Sequence, residues 1–118
     1  MMDKITKEDQ IAQVRGFLRA CDYFLELNGR FPLRCVQAFL AVALQPGQSA
    51  SDYARQYGLS ASTMSRFLLD IGERNRWMEK GLGLIARANP YKERNAEYYL
   101  TDKGEKLLRK VLAQFDRR

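Results

Sequence analysis

Histidine is absent from these 118 residues, which removes His-based catalytic triads and the usual mixed zinc sites. Cysteine is nearly absent too: Cys21 and Cys35 are the only two, too few for a disulfide framework. Both fall on apolar helical faces and read as core residues, with a thiol switch as the alternative. Proline and glycine are sparse, with three and eight, and there is no internal repeat or low-complexity segment. No apolar run approaches the roughly eighteen residues that span a bilayer, so no membrane association is expected. The opening MMDKITKEDQ lacks the apolar segment of a secretory signal, so the expected location is the cytoplasm. No compact carboxylate or nucleophile pattern occurs, so neither an enzyme nor a cofactor or metal is expected.

What is present is positive charge. Twenty Lys and Arg face fourteen Asp and Glu, a net charge of +6. Residues 55 to 94 hold eight of the basic and four of the acidic side chains, which concentrates most of the excess in one stretch. Such a surface attracts a polyanion with salt-dependent affinity. The length favours one domain spanning 1–118 with one main core.

The pattern along the chain is mainly helical. Thr6 is placed to cap a helix with Glu8 and Asp9 in its first turn. Ile11, Val14, Leu18, Cys21 and Leu25 recur at three- and four-residue spacing, Phe17 and Phe24 widen the stripe, and Asn28-Gly29 supplies the stop. A second helix is predicted from Pro32 to Leu44, with Pro32 in the first turn and Val36, Phe39, Leu40 and Ala43 inward, ended by Pro46-Gly47. Ser49 begins a short third helix supported by Asp52 and packed through Tyr53, Ala54 and Tyr57. Gly58 makes a turn, and Ser60 caps a fourth helix whose Met64, Phe67, Leu68 and Ile71 follow the i, i+3, i+4, i+7 rule.

That arrangement leaves Ala61, Ser62, Thr63, Ser65 and Arg66 near the outer N-terminal surface. Small side chains there allow close approach to a groove, and hydroxyls exchange hydrogen bonds with bases and phosphates. Residues 72–83 either extend this helix or form a separate turn with Trp77 and Met78 against the core. Leu84-Ile85-Ala86 and Glu97 to Leu100 read as two strands joined by a loop that starts at Asn89-Pro90 and carries Lys92 and Arg94. Tyr91, Tyr98 and Tyr99 read as packing of this hairpin. Thr101 caps a last helix with an apolar face of Leu107, Leu108, Val111, Leu112 and Phe115. Three helices, a turn, a helix, a hairpin and a helix spell a winged helix-turn-helix: mainly α with a small β-hairpin wing.

The segment YGLSASTMSRFL resembles the turn and recognition helix of the MarR family of transcriptional regulators. GLIARANPYKERNAEYYLTDKGEKLL resembles that family's wing and the helix after it, and the likeness runs from about Phe31 to Leu112. It implies DNA contacts by Ser62, Thr63, Ser65 and Arg66, and by Arg94 as the wing arginine of an Asp-x-Arg pattern. Lys92 stands where that aspartate is expected, which favours a general phosphate-binding wing over a fixed minor-groove arginine. Arg87, with Arg74 and Arg76 behind it, is a further candidate for DNA contact. Leu100-Thr101-Asp102-Lys103-Gly104 matches the strand-to-helix junction, a structural signature.

Two departures accompany the likeness. Asn75 to Gly81 form an insertion beside the recognition helix, and the chain stops soon after Phe115, where family members build a dimer from terminal helices. The expected protein is a homodimeric, sequence-specific regulator of transcription, a repressor, that binds double-stranded DNA. The resemblance also implies a pocket for a small-molecule effector between the dimer and DNA-binding parts. The competing reading is a winged-helix protein-interaction module of a nucleic-acid-processing or replication assembly, served by an exposed Trp77-Met78 patch.

Overall fold

The computed structural model describes residues 6–73, 80–88 and 96–115. Five helices and one hairpin follow in the order α1 (Lys7–Leu27), α2 (Leu33–Leu44), α3 (Ala50–Tyr57), α4 (Ala61–Ile71), β1 (Ile85–Ala88), β2 (Glu97–Leu100) and α5 (Asp102–Ala113). Residues 74–79, including Arg74, Arg76, Trp77 and Met78, and residues 89–95, including Tyr91, Lys92 and Arg94, lie outside the described residues.

The helix starts are set by side-chain caps. Thr6, Ser49, Ser60 and Thr101 each accept the backbone N–H three residues on, satisfying a donor that the helix itself leaves orphaned. At α3 the cap is reciprocal, because the Asp52 carboxylate also accepts the Ser49 N–H at 3.2 Å. Pro32 stands just before α2, as its N-cap, and not within its first turn.

α2 is the central helix. Cys35, Ala38, Phe39, Ala41 and Val42 are buried along it, and they meet Tyr53 and Ala54 of α3 and Met64, Leu68 and Ile71 of α4. Phe24 of α1 closes this core from one side, stacking edge-on to Phe39 at 5.8 Å and tilted on Phe31 at 5.3 Å. Leu40, expected to point inward, is 39% exposed. The interior is filled from Phe39 and Val42, which leaves Leu33, Leu40 and Leu44 on the opposite flank.

β1 and β2 pair antiparallel, Ile85 opposite Leu100 and Arg87 opposite Tyr98. The turn after α2 adds to the free edge of β2, with Gly47 N–H donating to Tyr98 O at 2.8 Å and Tyr98 N–H to Gln48 O at 3.2 Å. Tyr53 fixes that turn from inside: its hydroxyl donates to Gln45 O at 2.6 Å and accepts the Gln48 N–H at 3.4 Å.

The first helix overturns one expectation. Its predicted stripe of Ile11, Val14, Leu18 and Leu25 is exposed, Val14 and Leu18 by about two thirds, and Cys21 is only half-buried. The buried side is instead Gly16, Ala20 and Phe24. α1 crosses α5 where Gly16 lets the Gln114 backbone approach so closely that a Cβ would collide with its carbonyl oxygen. The crossing is tied by Arg19 Nε donating to Gln114 Oε1 at 2.9 Å and Gln114 Nε2 donating to the Tyr23 hydroxyl at 3.2 Å. Likewise Leu107 and Val111 of α5 are buried, while Leu112 and, just beyond the helix, Phe115 are exposed.

Candidate nucleic-acid interface

The presentation of α4 starts with a left-handed residue. Gly58 ends α3 at φ +68°, a backbone region that L side chains rarely adopt. Leu59 N–H then returns to Ala54 O at 2.9 Å. This tight turn aims the first turn of α4 outward, while Met64, Leu68 and Ile71 anchor the opposite side in the core.

The candidate residues occupy two outward faces of α4. Ser62 and Arg66 are exposed, one turn apart. The Arg66 guanidinium makes no hydrogen bond or ion pair among the described residues. Ser65 is half-buried and turns with Ala61 towards the hairpin, lining a cleft with Arg87. Thr63 is half-buried and knitted into the cap: Ser60 Oγ donates to Thr63 Oγ1 at 2.8 Å and lies 3.2 Å from Ser62 Oγ. Thr63 therefore has a structural duty that its position in the sequence did not announce.

Arg87 is the exposed residue of β1, paired with Tyr98 across the hairpin. Side chains alternate along a strand, so Arg87 shares a sheet face with Ile85, which is buried against the helices, but lies at its outer margin. The structure thus brings Ser65 and Arg87 together at one cleft, leaves Ser62 and Arg66 exposed on the outward face of the same helix, and ties Thr63 into the cap. Lys92 and Arg94 lie outside the described residues.

Between these faces lies a cleft of about 350 Å³ lined by Ala50, Ser51, Ala61, Ser65, Arg87, Ala96 and Tyr98. Ser51 was missed in the sequence, where it reads merely as the first turn of a short helix. What places it here is packing of α3 against α4. The neighbouring Asp52 is already engaged: the Ser49 backbone N–H, then the Ser49 hydroxyl, then Arg55 at 3.4 Å, hold its carboxyl below the usual range.

The hairpin is clamped to the end of α4. Gly83 N–H donates to Gly72 O and Leu84 N–H to Ile71 O, both at 2.8 Å, and Gly81 N–H reaches Glu73 O at 2.8 Å. Glu73 and Gly81, on either side of residues 74–79, therefore meet. Thr101 Oγ1 donates to Gly83 O at 2.6 Å and Lys103 Nζ to Leu82 O at 2.7 Å, locking α5 to the same joint.

Among the described residues no group of three or more Cys, Asp or Glu is placed to hold a metal ion, and no helix is long and apolar enough to cross a membrane.

The overall fold recurs in solved structures. A MarR-like transcriptional regulator from Thermotoga maritima superimposes with a TM-score of 0.61 over 98% of this chain and 77% of its own, at 20% identity. The fold is the winged helix-turn-helix of MarR-like regulators. A MarR family transcription regulator matches with a TM-score of 0.57 over 91% of this chain at 20% identity, and here the match spans 64% of the longer protein. The repressor CouR, solved bound to a 23-mer DNA duplex, matches at a TM-score of 0.50 and 20% identity over all of this chain and 82% of its own. No family model matches the chain, and no curated protein resembles it significantly.

Proposed function

We propose that this protein is a homodimeric, sequence-specific regulator of transcription that binds double-stranded DNA and acts as a repressor by occupying promoter DNA. The observation that carries the reading is the outward face of α4, where Ser62 and Arg66 stand exposed one turn apart on a helix held rigidly from behind. Ser62 and Arg66 read base edges in the major groove, and Ser65, Thr63 and Arg87 anchor the flanking backbone. Lys92 and Arg94, which lie outside the described residues, remain further candidate phosphate contacts on the sequence alone. The likeness to a repressor solved on a duplex supports this reading.

Dimerisation is supported by α1. Ile11, Val14, Leu18 and Leu25 keep a heptad-like spacing and remain exposed, as do the neighbouring Phe17, Leu112 and Phe115. Monomers rarely expose a contiguous apolar patch of this kind. A second copy covers it, since a two-fold axis sets the same stripe against itself and presents two α4 helices to successive half-sites. The effector implied by the family likeness has a place in the cleft of about 250 Å³ between Arg30, Cys35, Asp70 and Lys80, which abuts the last turn of α4.

The test is selection of duplexes from a random-sequence pool, followed by binding of the selected and scrambled duplexes across salt concentrations. Tighter binding to the selected duplex, with affinity falling as salt rises, is expected. Undetectable binding to every duplex at low salt would overturn the reading.

A further inference from the structure

The cleft between α3, α4 and the hairpin has a chemistry of its own. Among the described residues its polar side chains, Ser51, Ser65, Arg87 and Tyr98, supply hydroxyl donors and one guanidinium, with no carboxylate among the described lining residues. The described acids next to the lining residues in sequence are engaged elsewhere. Asp52 is spent on Ser49 and Arg55, and Glu97, on the alternate face of β2, accepts the Tyr99 hydroxyl at 2.8 Å. Depth comes from small residues, because Ala50, Ala61 and Ala96 line the walls where any longer side chain would fill the space.

We infer that this cleft is the seat for one DNA backbone phosphodiester, with Arg87 as its cation, Ser51 and Ser65 as its hydrogen-bond donors, and Ala61 as the residue that keeps it open. The inference rests on the DNA-binding reading and divides its labour. Two sides of one helix do different work: Ser62 and Arg66 face outward to base edges, whereas Ser65, a turn beyond Ala61, faces the cleft and carries no sequence information. A guanidinium with convergent hydroxyls suits a phosphate, which offers charge and several acceptors together. The cleft exceeds the volume of a bare phosphate group, leaving room for the attached sugar. Arg87 is set in a strand paired with Tyr98 and clamped to α4, so this contact fixes the register of α4 along the duplex.

The experiment measures fluorescence anisotropy of a labelled duplex selected from a random pool and of its scramble, from low to moderate salt. Arg87→Ala should weaken both duplexes by the same factor, about tenfold, and reduce the slope of log K against log salt by about 0.9. Arg87→Lys should keep that slope while losing part of the affinity. Ser51→Ala and Ser65→Ala should each cost both duplexes equally, about two- to fivefold. Ala61→Leu changes no charge and lies on an exposed helix turn, so it should fold normally and still weaken both duplexes by obstructing the seat. Ser62→Ala, by contrast, should shrink the ratio of selected to scrambled affinity.

Wild-type affinity in both Arg87→Ala and Ala61→Leu, alongside a shrunken ratio in Ser62→Ala, would overturn the seat while leaving DNA binding intact. A changed ratio in Ser65→Ala, with the scramble unaffected, would also overturn it by making Ser65 a base reader. Failure of the wild-type protein to bind either duplex would remove both readings together.

Discussion

Replacing Gly104 with alanine separates helix propensity from tertiary packing, because the two predict opposite signs. Gly104 lies in the first turn of α5, where its N–H donates to Thr101 Oγ1 at 3.1 Å. Taken as a helical position alone, alanine there should stabilise by roughly 1 kcal/mol. The surroundings forbid it. A Cβ at this position collides with the Leu84 carbonyl oxygen, comes within 3.1 Å of the carbonyl carbon, and touches Leu100 Cβ at 3.4 Å. The obstacle is backbone, and that same carbonyl accepts the Thr101 N–H at 3.0 Å while the Leu84 N–H is bound to Ile71 O at 2.8 Å. Relief requires moving the strand–helix joint. Overpacking costs about 1–3 kcal/mol, and loosening a buried hydrogen bond adds about 1–3 kcal/mol. Set against the propensity gain, Gly104→Ala should lose about 1–5 kcal/mol, centred on about 3. Urea unfolding followed by far-ultraviolet circular dichroism reads this directly, as a lower midpoint with unchanged slope. Gly29→Ala, where a Cβ meets nothing within 4 Å, serves as the control and should stay within about 0.5 kcal/mol of wild type. Gly104→Ala equal to or more stable than wild type would refute the argument.

Three further outcomes are expected. Leu18→Glu, at a residue 66% exposed in the single chain, should leave helicity intact while light scattering falls from twice the 13.7 kDa chain mass to one copy; an unchanged mass would remove α1 from the dimer. Tyr53→Phe should cost about 1–3 kcal/mol by leaving the Gln45 carbonyl unmet. Burial of Tyr53 raises its pKa above the ordinary value, so its contribution is present below about pH 10 and lost as pH rises through the folded value. The phenylalanine variant should lack that alkaline step in a pH titration of unfolding. Asp52 has the opposite sign: its lowered pKa gives α3 a contribution present above the ordinary carboxyl value and lost as pH falls through the folded one. Asp52→Asn should flatten the acid limb of the helicity profile; an unaltered limb would contradict the capping role.

The elements were legible because their signals are local. A hydroxyl three residues before an acceptable donor, a glycine at a left-handed position and a proline after a helix act within one turn, and the four helix caps stand where Thr6, Ser49, Ser60 and Thr101 place them. Which apolar face turns inward is a different kind of question. In α1 the periodicity identified a real stripe, yet the chain buries the side carrying Gly16 and Ala20, because two helices approach closely only where side chains are small. Spacing cannot distinguish a stripe facing one's own core from one left for another surface. The cleft was illegible for the same reason. Ser51, Ser65 and Arg87 are dispersed along the chain and meet only through the packing of α3 on α4 and the clamp between Leu84 and Ile71. Leu84 shows the limit in miniature: it reads as a strand residue but is a fully buried bend before β1.

In the proposed dimer, these two illegible features depend on each other. The spacing between two reading helices is set by how rigidly each α4 is tied to the surface that pairs the copies. That tie is short. α4 ends at Ile71, whose carbonyl holds Leu84, whose carbonyl in turn holds Thr101 at the head of α5, and α5 ends on Gln114, gripped by Arg19 and Tyr23 of α1. Backbone hydrogen bonds and one polar clasp thus run from the reading helix to the apolar stripe without crossing a loop outside the described residues. A change at Gly104 or at Gly16 alters the angle between these ends even where each helix remains intact. Such a variant should bind a single half-site normally and discriminate poorly among half-site spacings, whereas a change at Ser62 should keep the spacing preference and relax the sequence within each half-site.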